Sequence, residues 1–207
     1  MQLRTALANS YNTIAVQLAA SYGITNIQKN LKAAGITTLV ESGAANDNNL
    51  ALALGGLTDG VIPIEMAQAY STIANYGRNI TPSGIVRVTD RNQKNIFEQK
   101  TKSVQVLDKK SCTELIGMME DVLKIGTGTA AAIGRPAAGK TGTTSNHNDA
   151  WFCGFTPEFT TIVWMGNDDN QSLGKLTGGD YPAQVWHDFM LIITKGTPAT
   201  KFLTTSK

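Results

Sequence analysis

One short segment constrains the fold of this chain more than any other: the glycine- and threonine-rich stretch GRPAAGKTGTTS at residues 134–145. Its first eight residues match G-x-x-x-x-G-K-[ST], the pattern of a phosphate-binding loop, in which a buried strand precedes the loop and a helix follows the lysine. Here KIGTGTAAAI precedes Gly134 and TGTTSNHND follows Lys140, and both are poor in the residues that would form those elements. Pro136 also removes one N–H donor. A nucleotide hydrolase is therefore only an alternative.

The same residues are better explained as an extended strand, AAGKTGTT. Gly139 and Gly142 leave room for a second backbone to pair with that strand. Lys140 supplies a positive charge, and Thr141 and Thr143 share one face because strand side chains alternate with a period of two. This arrangement predicts a site for an extended peptide that ends in a carboxylate. An ordinary glycine-rich edge strand with a solvated lysine is the simpler alternative.

Composition limits the possible classes of protein. A chain of 207 residues with 42% hydrophobic and 16% charged residues is long enough for one globular domain with a sizeable core. We place that domain at residues 1–195 and a polar tail at 196–207. A net charge of +2 gives no indication of a nucleic-acid partner. Cys112 and Cys153 lack the spacing of a metal site and predict two buried thiols, and we expect neither a metal nor a cofactor.

Hydrophobic periodicity predicts an α/β (α+β) fold in which an antiparallel sheet is flanked by helices. The expected helices cover 13–22 with an N-cap at Asn12, 26–34 before Gly35, a segment from Pro63 to about Gly77, 109–124 with an N-cap at Asp108, and a last segment from Pro182 that carries Val185, Trp186, Phe189 and Ile193 on its inner face. A hairpin is expected within 84–100. Three antiparallel strands are expected near 138–144, 149–155 and 159–167.

A second motif lies between two predicted helical segments near the start of the chain. It is SYN at residues 10–12. A serine hydroxyl can accept and relay a proton, and an asparagine amide both donates and accepts hydrogen bonds. Because helix capping would explain Ser10 and Asn12 equally well, S-x-N alone is a weak signal. In combination with K-T-G it becomes specific.

Together these motifs resemble a known family. The set S-x-x-K, S-x-N and K-T-G is typical of penicillin-binding proteins and class A β-lactamases. The chain is most similar to the transpeptidase domain of class A, bifunctional penicillin-binding proteins, over about residues 4–190. The resemblance is carried by RTALANSYNTIAVQLA, LALGGLTDGVIPIEMAQAYSTIANYGRNITP, MMEDVLKIGTGTAAA and AAGKTGTTSNHNDAWFCGFTPEFTTIVWMGNDD, which occur in the family's order.

The resemblance implies an acyl-serine mechanism on peptidoglycan stem peptides that end in D-Ala-D-Ala, with β-lactam antibiotics as ligands of the intact protein. Ser10 would be the relay serine, Asn12 the amide that positions the substrate backbone, and Lys140 part of the proton network. Thr141 and Thr143 would bind the terminal carboxylate. The Thr143 N–H would also serve the oxyanion hole, and Gly142 would leave clearance for the acyl group.

The nucleophile motif S-x-x-K departs from this pattern. In the family it precedes S-x-N by tens of residues, but only nine residues precede Ser10. The match SLGK at 172–175 follows K-T-G in a glycine-rich loop, so we expect Ser172 and Lys175 to be surface residues.

We therefore expect the chain to be the C-terminal part of a larger protein that is anchored at the outer face of the cytoplasmic membrane by a segment absent from this sequence. An exposed sheet edge near 159–167 would then favour self-association. A D,D-carboxypeptidase, a β-lactamase and a non-catalytic ligand-binding module are the alternatives.

Overall fold

The computed structural model describes residues 1–204, which form six α-helices and seven strands. The helices are α1 (Leu3–Ala8), α2 (Asn12–Tyr22), α3 (Ile24–Ala34), α4 (Pro63–Ala74), α5 (Lys109–Lys124) and α6 (Tyr181–Ile193), with 3-10 turns at Leu50–Leu54 and Thr129–Ala131. The strands are β1 (Arg78–Ile80), β2 (Arg87–Thr89), β3 (Asn95–Glu98), β4 (Ser103–Gln105), β5 (Ala138–Thr143), β6 (Asp149–Phe155) and β7 (Thr160–Gly166). Among these residues, no helix is both long and apolar enough to cross a membrane.

The largest sheet is antiparallel and has the order β5-β6-β7. Its strands confirm the three predicted segments to within one residue at each end. Lys140 lies inside β5, directly opposite Cys153 of β6. Because a strand continues through the lysine where a phosphate-binding loop would begin a helix, the fold does not provide the nucleotide-binding arrangement.

Each face of this sheet is covered by helices. On one face Phe152 packs against Trp186 of α6, with ring centroids 5.2 Å apart and both side chains fully buried. On the other face Phe155 belongs to a cluster with Ile116 of α5, against which residues of α4 pack. The side chains of Ala138 and Lys140 point to this second face, and those of Thr141 and Thr143 point to the α6 face.

The two glycines of the K-T-G region pack tightly against β6, and Gly139 is the more constrained of them. A Cβ at Gly139 would lie 2.8 Å from the Cys153 carbonyl oxygen and 3.0 Å from the ring of Phe152. A Cβ at Gly142 would lie 3.3 Å from Cβ of Trp151. Packing against β6 therefore gives a second reason for these glycines, and the expectation that they admit another backbone at the outer edge of β5 stays a prediction.

The helical half departs from the predictions at its start. A helical segment before Ser10 was expected, although without bounds, and it is α1. α2 begins at Asn12 itself with Tyr11 as the residue before it, so the proposed cap at Asn12 is wrong. In contrast, Asp108 caps α5 as predicted, since its carboxylate accepts a hydrogen bond from the Ser111 N–H at 2.7 Å. Gly35 ends α3 in the left-handed conformation, as expected.

The predicted hairpin within 84–100 is confirmed as β2 and β3. The pair β1 and β4 was missed. Each of these strands has only three residues, and they pair antiparallel across more than twenty intervening residues. Segments this short carry too little alternation to be recognised as strands.

The prediction of the buried face of α6 was partly wrong. Trp186 is buried as predicted, but Val185 and Phe189 are 46% and 47% exposed. The buried stripe runs instead through Ala183, Trp186 and Met190, which lie on one face at helical spacing. Beyond α6 the chain returns to the core, where Phe202 meets Phe155 edge-on at 5.7 Å. The domain boundary at residue 195 stays a prediction.

Candidate active site

Ser10 and Lys140, 130 residues apart in sequence, are joined by a hydrogen bond. The Lys140 Nζ donates to Ser10 Oγ at 2.7 Å and to the Thr141 carbonyl oxygen at 3.0 Å. Ser10 is exposed, and Lys140 is partly buried. The two motifs that the sequence analysis combined are therefore adjacent in space, at the edge of the sheet formed by β5.

The backbone at the end of α1 places the Ser10 hydroxyl. The Ser10 N–H donates to Leu7 O and the Tyr11 N–H donates to Ala6 O, which is the Schellman pattern that ends a helix. Ser10 occupies the left-handed position of that motif, with φ 55°. Glycine usually occupies this position because a Cβ there costs free energy. The serine is therefore retained at a conformational cost, as is common at functional sites.

Burial lowers the pKa of Lys140 from 10.5 to about 8. Its neighbour across the strands, Cys153, raises the pKa of Lys140 but opposes the larger effect of burial only in part, and burial raises the pKa of that thiol itself to about 12. An amine with a pKa of about 8 exchanges protons readily near neutral pH. Lys140 and Ser10 can therefore pass a proton between them.

The remaining predicted residues lie on α2 and on β5. Asn12 lies on the first turn of α2, exposed, and its amide makes no hydrogen bond to the described part of the chain. The hydroxyls of Thr141 and Thr143 leave β5 on the face opposite Lys140. Thr143 Oγ1 accepts a hydrogen bond from the Gly178 N–H at 3.0 Å, and Thr141 Oγ1 lies 2.6 Å from Thr127 Oγ1.

Thr127 is the residue of this region that the sequence analysis did not single out. It lies in the loop after α5, between Gly126 and Gly128. That G-T-G triplet is the one sequence signal that could have indicated a tightly packed loop.

The alternative serine and the histidines do not join the pair. Ser172 is an exposed loop residue whose hydroxyl donates to the Asn146 carbonyl oxygen at 2.8 Å, which confirms its predicted surface position. His147 bonds the Leu176 carbonyl oxygen, and His187 bonds Asp188. Within residues 1–204, no group of three or more His, Cys, Asp or Glu side chains is arranged to hold a metal ion.

The structure brings together two of the three motifs that are typical of penicillin-binding proteins and class A β-lactamases: the serine of S-x-N lies between two helices and accepts a hydrogen bond from the lysine of K-T-G on the edge strand. A model of the penicillin binding protein transpeptidase domain matches residues 1–191. The chain belongs to this family.

Relatives and solved structures agree with this assignment. Penicillin-binding protein 4 of Bacillus subtilis is 35% identical over 89% of this chain, and penicillin-binding protein 1A of Aquifex aeolicus is 35% identical over 97%. The chain spans 29% and 27% of those two relatives. The structure of PonA1 from Mycobacterium tuberculosis in complex with penicillin V is 26% identical and covers all of this chain, with a TM-score of 0.87 over 60% of its own length.

Proposed function

We propose that this chain is the C-terminal part of a peptidoglycan D-Ala-D-Ala transpeptidase that works through an acyl-serine intermediate. The observation that carries the proposal is the hydrogen bond between Lys140 Nζ and Ser10 Oγ, together with the lowered pKa of that lysine. Its family membership and its likeness to PonA1, whose structure was solved with penicillin V, support the same conclusion.

In this mechanism a serine of an S-x-x-K motif upstream of residue 1 attacks the carbonyl of the penultimate D-alanine. A bond forms between the serine oxygen and the carbonyl carbon, the peptide C–N bond breaks, and D-alanine leaves with a proton delivered through Ser10 and Lys140. The amine of a neighbouring stem peptide then attacks the acyl-enzyme and releases the serine. This second step forms the cross-link.

The other residues hold the substrate. The Asn12 amide is free to hydrogen-bond the peptide backbone. Thr141 and Thr143 bind the terminal carboxylate, and the Thr143 N–H donates to the oxyanion. Gly142 lies in the edge strand where the acyl group passes and leaves clearance for it.

The intact protein would be a bifunctional class A enzyme anchored at the outer face of the cytoplasmic membrane. Its nucleophile and anchor would lie upstream of the residues described here. A D,D-carboxypeptidase or a β-lactamase would use the same Ser10 and Lys140 and would differ in passing the acyl group to water. A non-catalytic binding module would keep the Thr141 and Thr143 contacts alone.

The proposal is tested with a fluorescent penicillin on two proteins: the 207-residue chain, and the same chain extended upstream through the first S-x-x-K. We expect covalent labelling of the extended protein at that serine and none of the 207-residue chain, by intact-mass spectrometry. Product analysis with a stem peptide and an acceptor amine separates transpeptidation from hydrolysis. An acyl adduct on Ser172 would overturn the proposal.

Self-association through β7 is part of the same proposal. β7 is the last strand of its sheet in the described residues, and Trp164 on it is 40% exposed. Phe159 and Val163, beside the same edge, are partly buried against the Phe152 and Trp186 cluster. We expect dimers of the 207-residue chain by light scattering. A monomer with β7 amides protected from hydrogen exchange would contradict this part of the proposal.

A further inference from the structure

We infer that Thr127 is a positioning residue for the carboxylate site: it orients the Thr141 hydroxyl so that its proton points to the ligand. The inference rests on the proposed function and adds a residue to it. It starts from the 2.6 Å separation between Thr127 Oγ1 and Thr141 Oγ1. At that distance one of the two hydroxyls donates its proton to the other.

The direction of this hydrogen bond matters for an anionic ligand. A threonine hydroxyl has one proton and two lone pairs. If Thr127 donates to Thr141, the Thr141 proton stays available for a carboxylate, and the two hydrogen bonds strengthen each other as a chain. A carboxylate accepts hydrogen bonds and donates none, so its arrival selects this direction.

The backbone of Thr127 is held from two sides, by Ala8 and by Gly179, which makes its hydroxyl a fixed donor. Its N–H donates to the Ala8 carbonyl oxygen at 3.1 Å. A Cβ at Gly126 would lie 2.3 Å from that same oxygen, and a Cβ at Gly179 would lie 2.4 Å from the Thr127 carbonyl oxygen. Only glycine allows approaches this close. Movement of the loop would therefore break its backbone contacts with α1 and with the segment before α6.

This loop also connects the two halves of the site. Ala8, which accepts from the Thr127 N–H, is the last residue of α1 and precedes Ser10 by two residues. Lys140 and Thr141 are consecutive in β5, and their side chains on opposite faces contact Ser10 and Thr127 respectively. The backbone contact between Thr127 and Ala8 thus helps to fix the pair of Ser10 and Lys140 relative to the hydroxyls of Thr127 and Thr141.

The test measures carboxylate binding directly, on the 207-residue chain, by NMR titration of the Thr141 and Thr143 amides. The ligands are N-acetyl-D-Ala-D-Ala and its C-terminal amide, which differ only in the charged group. Thr127→Val keeps the shape of the side chain and removes its hydroxyl, and Thr127→Ser keeps a hydroxyl. Thr129→Val is the matched control, at an exposed threonine that begins the following 3-10 turn.

We expect Thr127→Val to raise the dissociation constant of the acid about five- to tenfold, the effect of one lost hydrogen bond in a charged network. Thr127→Ser should return the dissociation constant of the acid to within about twofold of wild type. The ligand with the C-terminal amide should bind about equally to all variants. Equal weakening of acid and amide would mean a packing role and would overturn the inference. Unchanged binding of the acid by Thr127→Val, or no carboxylate-dependent shift in wild type, would also overturn it.

The proposed function is judged separately, by penicillin labelling of the extended protein. If that protein is acylated and Thr127→Val is acylated at the wild-type apparent second-order rate, the inference fails and the function stands. If Thr127 orients Thr141, Thr127→Val should raise the penicillin concentration needed for half-maximal acylation more than it lowers the limiting rate.

Discussion

The sheet region and the α2 and α3 region of this molecule differ in how completely their apolar surfaces are covered. In the sheet region Phe152, Phe155 and Trp186 are fully buried, with helices on both faces. In the other region Leu18 and Tyr22 of α2 are 47% and 55% exposed, beside a groove that Ile27 and Leu31 also line. The centre of the sheet is thus covered on both faces, and the α2 and α3 face is not covered. This difference agrees with the proposal that further chain belongs to the domain.

The largest expected effect tests this comparison through stability. Trp186→Ala removes a fully buried ring between α6 and the sheet and should lower the free energy of unfolding by about 3–5 kcal/mol. Leu18→Ala, on the incompletely covered face, should change it by less than about 0.5 kcal/mol. Urea unfolding followed by circular dichroism measures both. If Leu18→Ala cost as much as Trp186→Ala, α2 would be buried in solution and the contrast between the regions would fail.

The next effect tests the chemistry at the edge of the sheet. In the protein extended through S-x-x-K, Lys140→Ala should lower the rate of acylation by penicillin about 10²- to 10³-fold, because it removes the charged partner of Ser10. Lys175→Ala, in an exposed loop, is the control and should acylate normally. Stopped-flow labelling measures both rates. Near-normal acylation by Lys140→Ala would reject the assignment of this lysine.

A smaller effect separates the conformational cost of Ser10 from its chemistry. Ser10→Gly and Ser10→Ala both remove the hydroxyl, but only glycine accepts φ 55° without strain. Ser10→Gly should therefore be more stable than Ser10→Ala by about 1 kcal/mol, while both lose acylation in the extended protein. Thermal unfolding of the two variants gives the comparison. Equal stabilities would show that the left-handed backbone at this position carries no cost.

A further expected effect is the pH dependence that Lys140 adds to stability. Its pKa is about 8 in the folded chain and 10.5 in its ordinary state. Between these values the unfolded chain holds a proton that the folded chain has lost, so stability from this group rises as pH increases from 8 to 10.5. Lys140→Met has no such proton. From pH 7 to pH 9.5, the urea midpoint of the wild type should rise relative to that of Lys140→Met. A relative fall of the wild-type midpoint would contradict the lowered pKa.

Local patterns were sufficient for much of the fold. The alternation in DAWFCGF and FTTIVWMGN placed β6 and β7, and Asp108 was recognised as the cap of α5, because both signals depend on neighbouring residues only. The face of α6 was read wrongly because Val185 and Phe189 lie next to the buried stripe, and local periodicity does not say which of two adjacent apolar stripes meets the sheet. β1 and β4 were missed because their pairing is between distant segments.

The sequence by itself determined that K-T-G forms a strand and that S-x-N accompanies it, since strand propensity and motif identity are properties of a few adjacent residues. Only the tertiary structure decided that Lys140 meets Ser10, that Thr127 meets Thr141, and that Gly139 is required by Phe152 and the Cys153 carbonyl. Each of these contacts joins residues from different elements. Their geometry depends on how helices and strands pack, and packing is set by the sum of many long-range contacts that no local pattern contains.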